Sequence, residues 1–533
     1  MAFRTNNYQQ LSIEDSAYSL TEREKRFLEK SWAKPFSESI FPAINENDFS
    51  VLYSNKDSRP NTPVNVIVGS LLLKELQGLT DDEMVEALMF DVRYKYALHT
   101  TSYEEQPLSD RTLGRFRERC LAYETETGVD LIKNCILQLS EELTIVMGIN
   151  GTVNRMDSMM IASNIRKLSR FELIYSCVAR FVKYLENNHH EIHKDMSHYT
   201  EKEDYNKMVY HMRDTDINDR FKVVLADAKL LVDTYRGDCD QSSDYQLLIR
   251  VLKEQSKTAE DGSLVLKDKS DDAMDSQMLQ SPTDPDATYR SKAGKSHRGY
   301  AANLTETLGE KGSIVSDYDY RENTYSDSQF LKDSLEQRSE ADERITLITD
   351  GAYGGTENHE LAAERNVNLV TTNFQGRKPD EILSDFEVSE DGKEVLTCAN
   401  GQVPKTNKYN PHTEQCRITM EREICNNCPL RDQCKPKFHK TKTSKLLSWK
   451  SVANAKKLKY MKTKEFKEYA RTRNGVESLP SILRRKYHVD TMPVRGKLRS
   501  KLYFGFKVGA LNIKKLFIYL DSLDLPTQNL AMS

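Results

Sequence analysis

The sequence predicts a mixed α/β protein with a helical N-terminal domain and a cysteine-rich insertion. Three observations predict it. Apolar residues recur at helical spacing between Val64 and Leu121. From residue 296 the pattern shortens to strand-like runs, which then alternate with helical segments. Five of the nine cysteines fall between Cys398 and Cys434.

Residues 1–58 are polar and mixed, and read as an arm with one short helix. Val64, Ile67, Val68, Leu71, Leu72 and Leu76 then define a helix that Gly78 stops. Thr80-Asp81-Asp82-Glu83 is a capping box opening a second helix through Val85, Leu88 and Met89. Ser109 caps a third, with Leu113, Phe116, Cys120 and Leu121 inside and Arg111, Arg115 and Arg119 along a neighbouring stripe. This arrangement over 59–147 suits a helix-turn-helix-like DNA-binding domain, and equally a plain bundle with a solvated basic face. A further amphipathic helix is expected over 126–147.

Thr152–Met156 reads as a strand ending at Asp157. Residues 168–256 are mostly helical in pattern, and 257–292 are acidic and loop-like. SHRGYAANLTETL and SIVSDYDYRENTY form a hairpin about Gly309–Gly312. DSQFLKDSLEQRS is a helix, RITLITD a buried strand ending at Asp350, TENHELAAERN a helix and VNLVTTNF a strand. The expected core therefore covers 148–389, with a helical insertion at about 165–280. A cysteine-rich insertion (390–440), a basic helical region (441–525) and a tail (526–533) follow.

At 533 residues the chain is too long for one hydrophobic core. No run approaches the roughly 18 to 20 apolar residues of a membrane span. The N-terminus lacks the basic and then apolar blocks of a signal peptide. A cytoplasmic location without membrane contact is expected, nucleoid-associated when the protein is DNA-bound. The net charge of −4 hides a strong asymmetry. Lys435–Lys515 holds 24 Lys and Arg against 4 Asp and Glu, a net of +20 that leaves the remainder at −24. Such a tract is a polyanion footprint. Tyr460, Tyr487, Tyr503, Phe504 and Phe506 interleave with it, mostly as core residues, with room for one or two to stack on bases.

Cys120, Cys135, Cys177 and Cys239 stand singly and read as reduced, mostly buried thiols. An odd total argues against a disulfide framework. Cys425-x2-Cys428-x5-Cys434, with Cys398 upstream, offers four thiolates for a structural Zn2+, and Cys416 or His439 could replace Cys398. The bland alternative is a reduced, metal-free cluster. His189, His190, His193 and His198 lie in a polar helix end where no second ligand type converges, and read as a solvated face.

Asp157 and Asp350 each close an expected strand, and in open α/β sheets ligands bind at strand ends. Two carboxylates brought together from separate strands repel unless a cation separates them. Hard oxygen donors favour Mg2+ or Mn2+. Glu477 is the third candidate: Arg473 lies four residues before it and Arg484 seven after, on one face of a continuous helix. Taken singly, each Asp could be a turn cap and the Glu a surface ion pair. Pro480 removes one helical hydrogen bond and should kink that helix near Val476, which either aims Glu477 or marks a restart of the helix.

Four segments together resemble an insertion-sequence transposase of the DDE type, with an RNase H-like core. They are VNVIVGSLLLKELQGLTDDEMVEALMFDVRYKYAL with SDRTLGRFRERC; RMDSMMIASNIRKLSR; TDPDATYRSKAGKSHRGYAANL with ITLITDGAYGG; and RTRNGVESLPSILRRKY with VRGKLRSKLYFGFKVGALNIKKL. They span about residues 60–520 and are most similar to the "eleven eighty-two" family of the insertion-sequence-four-like group. The resemblance implies an RNase H-like mixed sheet and a metal-binding triad of Asp157, Asp350 and Glu477 holding two Mg2+ or Mn2+ ions. It also implies cleavage at element ends and transfer of the freed 3′-hydroxyl to target DNA. Arg473 matches the Arg of the signature Tyr-x2-Arg-x3-Glu-x6-Lys. Ala470 stands at the Tyr position, with Tyr469 one residue away, and Arg484 stands at the Lys position, keeping charge but not shape. DNA contacts are expected from Arg111, Arg115 and Arg119 and from Lys486, Arg495 and Lys497, on terminal inverted repeats and target DNA, with self-association on the DNA. The rival readings are an RNase H-like nuclease without strand transfer and a DNA-binding protein with impaired catalysis.

Overall fold

The computed structural model describes residues 1–6, 19–54, 56, 58–101, 108–192, 194–209, 217–268, 275–292, 294–340, 342–374 and 378–523. It divides into two compact units. Unit 1 comprises Met1–Thr152, Asp157–Phe330 and Ser478–Ser533; unit 2 comprises Val153–Met156 and Leu331–Glu477.

In unit 1 the N-terminal helices form where the spacing predicts. The helix Val64–Gln77 ends at Gly78, whose φ of 74° suits a residue without a Cβ. The Thr80 capping box opens Asp81–Phe90, with Glu83 N–H donating to Thr80 Oγ1 at 3.2 Å. The helix expected over 126–147 forms as Leu131–Val146, starting later because the third helix runs on to Thr127. Asp110–Thr127 ends on Gly128 at φ 75°, and Asp130 starts Leu131–Val146 by accepting from Lys133 N–H at 2.8 Å. The supposed arm is partly folded: Phe36, Ile40, Phe41, Ile44 and Phe49 are buried. Apolar side chains here find a core that their irregular spacing does not announce.

The helical insertion has its own core. Phe171, Ile174, Val178, Phe181 and Val182 of the helix Arg170–Asn187 are buried with residues of Ile217–Thr234 and Ser243–Gln255. His198 faces Asp204 at 3.0 Å, and His193 lies outside the described residues. The expected loop 257–292 contains a small hairpin and a strand. Strand β1 (Val153–Ala162) is followed by β2 (Ser256–Thr258), β3 (Leu264–Leu266), β4 (Thr288–Lys292), β5 (Lys295–Leu308) and β6 (Ser313–Glu322). In unit 1 the order is β4–β5–β1, with β6 antiparallel on β5. Gly299 makes the β5 to β1 approach possible: at φ 144° its Cβ position would lie 2.3 Å from the Ile161 carbonyl oxygen.

The long helix Lys497–Leu523 is the spine of unit 1. Gly509 lets it approach Leu72 and Ile136, since a Cβ there would stand 2.7 Å from each side chain. Asn512 accepts from Val315 N–H at 2.9 Å and donates to Val315 O at 2.8 Å and Ser140 Oγ at 2.9 Å. Its lysines meet internal acids. Lys497 pairs with Glu322 at 2.6 Å, Lys501 with Glu124 at 2.7 Å and Asp130 at 2.8 Å, Lys507 with Glu75 at 2.6 Å, and Lys515 with buried Glu306. The C-terminal part of the basic tract is therefore largely neutralised within unit 1 rather than offered to an outside polyanion.

In unit 2 the first residues of β1 pair in parallel with β7 (Ile345–Thr349), and β7 pairs in parallel with β8 (Val367–Thr371). The helix Thr356–Glu364 joins β7 to β8. After β9 (Glu387–Val388) and β10 (Val395–Thr397), the cysteine-rich segment folds as a four-stranded antiparallel sheet of β11 (Thr406–Asn410), β12 (Gln415–Glu421), β13 (Lys437–Phe438) and β14 (Lys442–Ser448). Its strand order is β11–β12–β14–β13. The helices Trp449–Tyr460 and Lys464–Asn474 complete the unit. Among the described residues no helix is long and apolar enough to cross a membrane.

Candidate functional site

The largely β-branched run Ile345-Thr346-Leu347-Ile348-Thr349 makes β7, and Asp350-Gly351 turns the chain away from it. Asp350 caps that turn. Its Oδ1 accepts from Gly351 N–H at 2.5 Å and from Asn373 Nδ2 at 2.8 Å, just past the end of β8. Asp350 thus stands at a strand terminus, as expected, with its second oxygen turned to a guanidinium. Arg473 lies 3.8 Å from Asp350 Oδ2 and 3.6 Å from Glu477 Oε1. The Arg473 side chain is 12% exposed, against 32% for Asp350 and 68% for Glu477. One half-enclosed cation therefore faces two carboxylates that would otherwise repel each other.

The helix Lys464–Asn474 carries Arg473, and its packing fixes where the guanidinium goes. Phe466 is buried with Ile348 of β7 and Val370 of β8, and Val153, Tyr469 and Ala470 pack against them. Tyr469 is thereby committed to packing. At the helix end, Arg155 of β1 donates from Nη1 to the Thr472 carbonyl at 2.6 Å, satisfying one of the last carbonyl groups. Gly475 gives that guanidinium room, because a Cβ there would lie 2.2 Å from Arg155 Nη1.

Two expectations are corrected here. The helix bearing Arg473, Glu477 and Arg484 is not continuous. It stops at Asn474, passes through a 3₁₀ turn at Gly475–Glu477 and restarts as Ser478–Arg485. Pro480 sits in the first turn of the new helix, where its missing N–H leaves no intrahelical bond unmade. Arg484 consequently does not share a helix face with Glu477; in unit 1 it binds Asp490 at 3.1 Å and the Met160 carbonyl at 2.8 Å. The second correction concerns Asp157, expected at a strand end. It lies in the middle of β1, which runs on to Ala162. The β1–β7 register is Val153↔Thr346, Asn154↔Leu347 and Arg155↔Ile348, and Asp157 follows Arg155 by two residues, within unit 1. Asp157 accepts from the N–H of Ser158 at 3.0 Å.

The other expected site residues take varied roles. Arg111 and Arg115 are exposed on Asp110–Thr127, whereas the Arg119 guanidinium sits 5.0 Å from the Tyr53 ring centroid. Lys486 lies over Tyr487, Arg495 donates to the Asn164 carbonyl at 2.7 Å, and Lys497 is held by Glu322. Tyr487, Phe504 and Phe506 are core residues, and Tyr503 lies between Lys74 and Arg117.

Cys398, Cys425, Cys428 and Cys434 line one cavity of about 40 Å³ in unit 2. Thr443 Oγ1 donates to Cys425 Sγ at 3.0 Å. Burial raises the Cys434 thiol pKa, and the nearby Lys445 ammonium opposes that shift. Cys416 is buried apart, against Asn407, and His439 bonds Ser444 at 2.9 Å, so the four-thiol set includes Cys398. Cys120, Cys135, Cys177 and Cys239 are free and buried. Among the described residues no group of three or more His, Cys, Asp or Glu side chains is already set at metal-holding geometry. In donor chemistry, however, the thiols fit zinc and the carboxylates fit a hard divalent ion.

The sequence pattern alone did not single out Arg155, Asn373, Lys457 or Gly475. Asn373 had a usable signal, a polar residue directly after a buried parallel strand. Arg155 had none, because a guanidinium within a strand is ordinarily a solvated side chain.

Two family profiles match the chain. One, described as a transposase DDE domain, covers residues 397–517, and the other, described as a transposase domain (DUF772), covers 24–119. The first includes the four-thiol cavity, Arg473 and Glu477 but neither Asp157 nor Asp350. Neither a comparison with curated proteins nor one with solved structures finds a match. The two profiles support transposase function, and a DDE domain implies phosphoryl transfer on nucleic acid and an RNase H-like fold.

Proposed function

We propose that the chain is the transposase of a bacterial insertion sequence, akin to the "eleven eighty-two" family, which cleaves DNA at element ends and joins the 3′-hydroxyl to a target. The convergence of Asp350 and Glu477 on Arg473, at 3.8 and 3.6 Å, carries this reading. Asp157, Asp350 and Glu477 supply the carboxylates that hold divalent ions, Mg2+ or Mn2+. Two such ions, if bound, would lower the pKa of the attacking water or hydroxyl and offset charge on the leaving oxygen. The protein's own part is positional. The Gly351 N–H and Asn373 amide orient Asp350. Arg473, anchored by the packing of its helix, keeps the two carboxylates near one another and offers a guanidinium to a phosphate oxygen. Arg484, which stands at the signature Lys position and pairs with Asp490, steadies a phosphate oxygen in this reading. Arg111 and Arg115 offer an exposed basic face for the terminal repeats. Self-association on DNA, bringing two ends together, belongs to the same proposal.

The test supplies precut DNA ends bearing a 3′-hydroxyl, a target duplex and Mg2+. Joined product that disappears in EDTA is the expected result. Nicking without joining would make the protein a nuclease, and binding without either reaction would make it a DNA-binding protein that has lost catalysis.

Cys398, Cys425, Cys428 and Cys434 are proposed to bind one structural Zn2+ that ties the segment before β11 to the β12–β14 region. Metal analysis of protein purified without added zinc should give about one equivalent per chain, from the four ligands of one tetrahedral site. Well under one equivalent, with all four thiols titrating freely, would leave a reduced cluster.

A further inference from the structure

Lys457 occupies an unusual position for a lysine in unit 2. Its neighbours Lys450, Lys459 and Lys462 pair with Glu414, Asp385 and Glu381 at 2.6, 2.7 and 2.6 Å, with side chains 63–68% exposed. Lys457 is half-buried, and its ammonium donates to the hydroxyl of Thr371. Among the described residues no carboxylate stands within ion-pair distance of it. Burial lowers its pKa, and the burial-lowered His359 is pushed down further by the Lys457 charge. This positive charge is thus both desolvated and uncompensated, an arrangement that costs stability unless an anion arrives.

The backbone shows what lies beside it. Thr371 ends β8 and is in register with Thr349, the residue before Asp350. Thr372 donates through N–H and Oγ1 to the Thr349 carbonyl at 2.9 and 3.1 Å, and Asn373 donates to Asp350 itself. The segment Thr371-Thr372-Asn373 therefore runs alongside Thr349-Asp350, with the ammonium at one end and the carboxylate at the other. We propose that Lys457 is a phosphate-binding residue, whose ammonium takes a backbone phosphodiester oxygen of the DNA strand engaged at Asp350. The inference deepens the transposase reading and rests on DNA being the substrate. A phosphate oxygen would supply the missing counter-charge and a charge-assisted hydrogen bond, with Thr371 holding the ammonium in place beforehand.

The test is fluorescence anisotropy of a labelled duplex of arbitrary sequence, titrated at several salt concentrations with the full chain. Lys457→Gln should weaken binding several-fold and make the slope of log affinity against log salt shallower by about 0.9, the counterion release of one phosphate contact. Lys457→Arg should keep the slope, and Lys459→Gln, which removes an exposed and already paired charge, should change it far less. Lys457→Gln should also melt no lower than wild type, because it removes an uncompensated cation. An unchanged slope and affinity in Lys457→Gln overturns the inference. So does an equal loss in Lys459→Gln, which would mark a general charge effect. A lowered melting temperature with an unchanged slope overturns it in favour of a structural role. Wild-type protein that binds DNA with the Lys457-dependent slope but joins no ends supports the inference and sinks only the strand-transfer reading. Wild-type protein with no affinity for DNA sinks both.

Discussion

Asp350→Asn should lower DNA cleavage by about three orders of magnitude, the consequence of losing several kcal/mol of charge stabilisation at the reacting phosphate. The substitution is nearly isosteric. An Asn side-chain oxygen can still accept from Gly351 N–H, as Asp350 does at 2.5 Å, so the turn after β7 should survive. What disappears is the charge that faces Arg473 at 3.8 Å and would ligate a hard cation. DNA affinity should stay within a few-fold of wild type, because removing a negative charge near a polyanion does not weaken attraction. Gel-based cleavage in Mg2+ alongside an anisotropy titration separates the two effects. A variant that cuts within tenfold of wild type would remove Asp350 from the chemistry. One that loses binding and cutting together would point to misfolding.

Phe466→Ala should strongly destabilise the packing of the helix Lys464–Asn474 in unit 2. Phe466 is 4% exposed, packs with Ile348 and Val370, and meets Tyr460 edge-on with centroids 5.5 Å apart. Truncating a buried Phe costs about 3–5 kcal/mol through lost transfer energy and the cavity left behind. Here the cost falls on the helix that carries Arg473, so activity should fall as well although Phe466 touches no reacting group. Hydrogen exchange of the Lys464–Asn474 amides should show the opening free energy reduced by about 3 kcal/mol, and Phe466→Leu should lose under about 1.5 kcal/mol. Unchanged protection of that helix in Phe466→Ala would show that the contact with β7 and β8 does not hold it.

Much of this arrangement is legible in the amino-acid order, and the rest is hidden for identifiable reasons. Helices with both a periodic stripe and a chemical stop are plain to read, as with Val64–Gln77 before Gly78 and Asp81–Phe90 after Thr80. Asp350 is legible because an apolar strand ends abruptly in Asp-Gly. Leu131–Val146 starts later than its expected bound of 126 because Gly128 ends the preceding helix and Asp130 caps the next, a boundary that the apolar spacing alone does not mark. The length of β1 is obscured because Met156-Asp157-Ser158-Met159 breaks the alternation of a half-buried strand. The interruption at Gly475–Glu477 has a local signal in Pro480, which cannot bond back to Val476, whereas the space that Gly475 leaves for Arg155 is a tertiary feature that nothing local announces. Charge counting proved the weakest guide. The lysines of Lys497–Leu523 looked like part of a DNA footprint, yet Glu75, Glu124, Asp130, Glu306 and Glu322 claim them from distant parts of unit 1. Sequence distance conceals such pairs, and a local charge sum counts only one side of each.

The proposed chemistry requires the carboxylates of this chain to hold divalent ions for phosphoryl transfer. Counting bound Mn2+ by electron paramagnetic resonance on the DNA-bound protein tests it most directly. The wild type should hold about two ions per chain, as an in-line two-metal mechanism requires. Asp157→Asn, Asp350→Asn and Glu477→Gln should each bind fewer or bind them much more weakly. Equal Mn2+ occupancy in the wild type and all three variants, or none in any of them, would contradict the account.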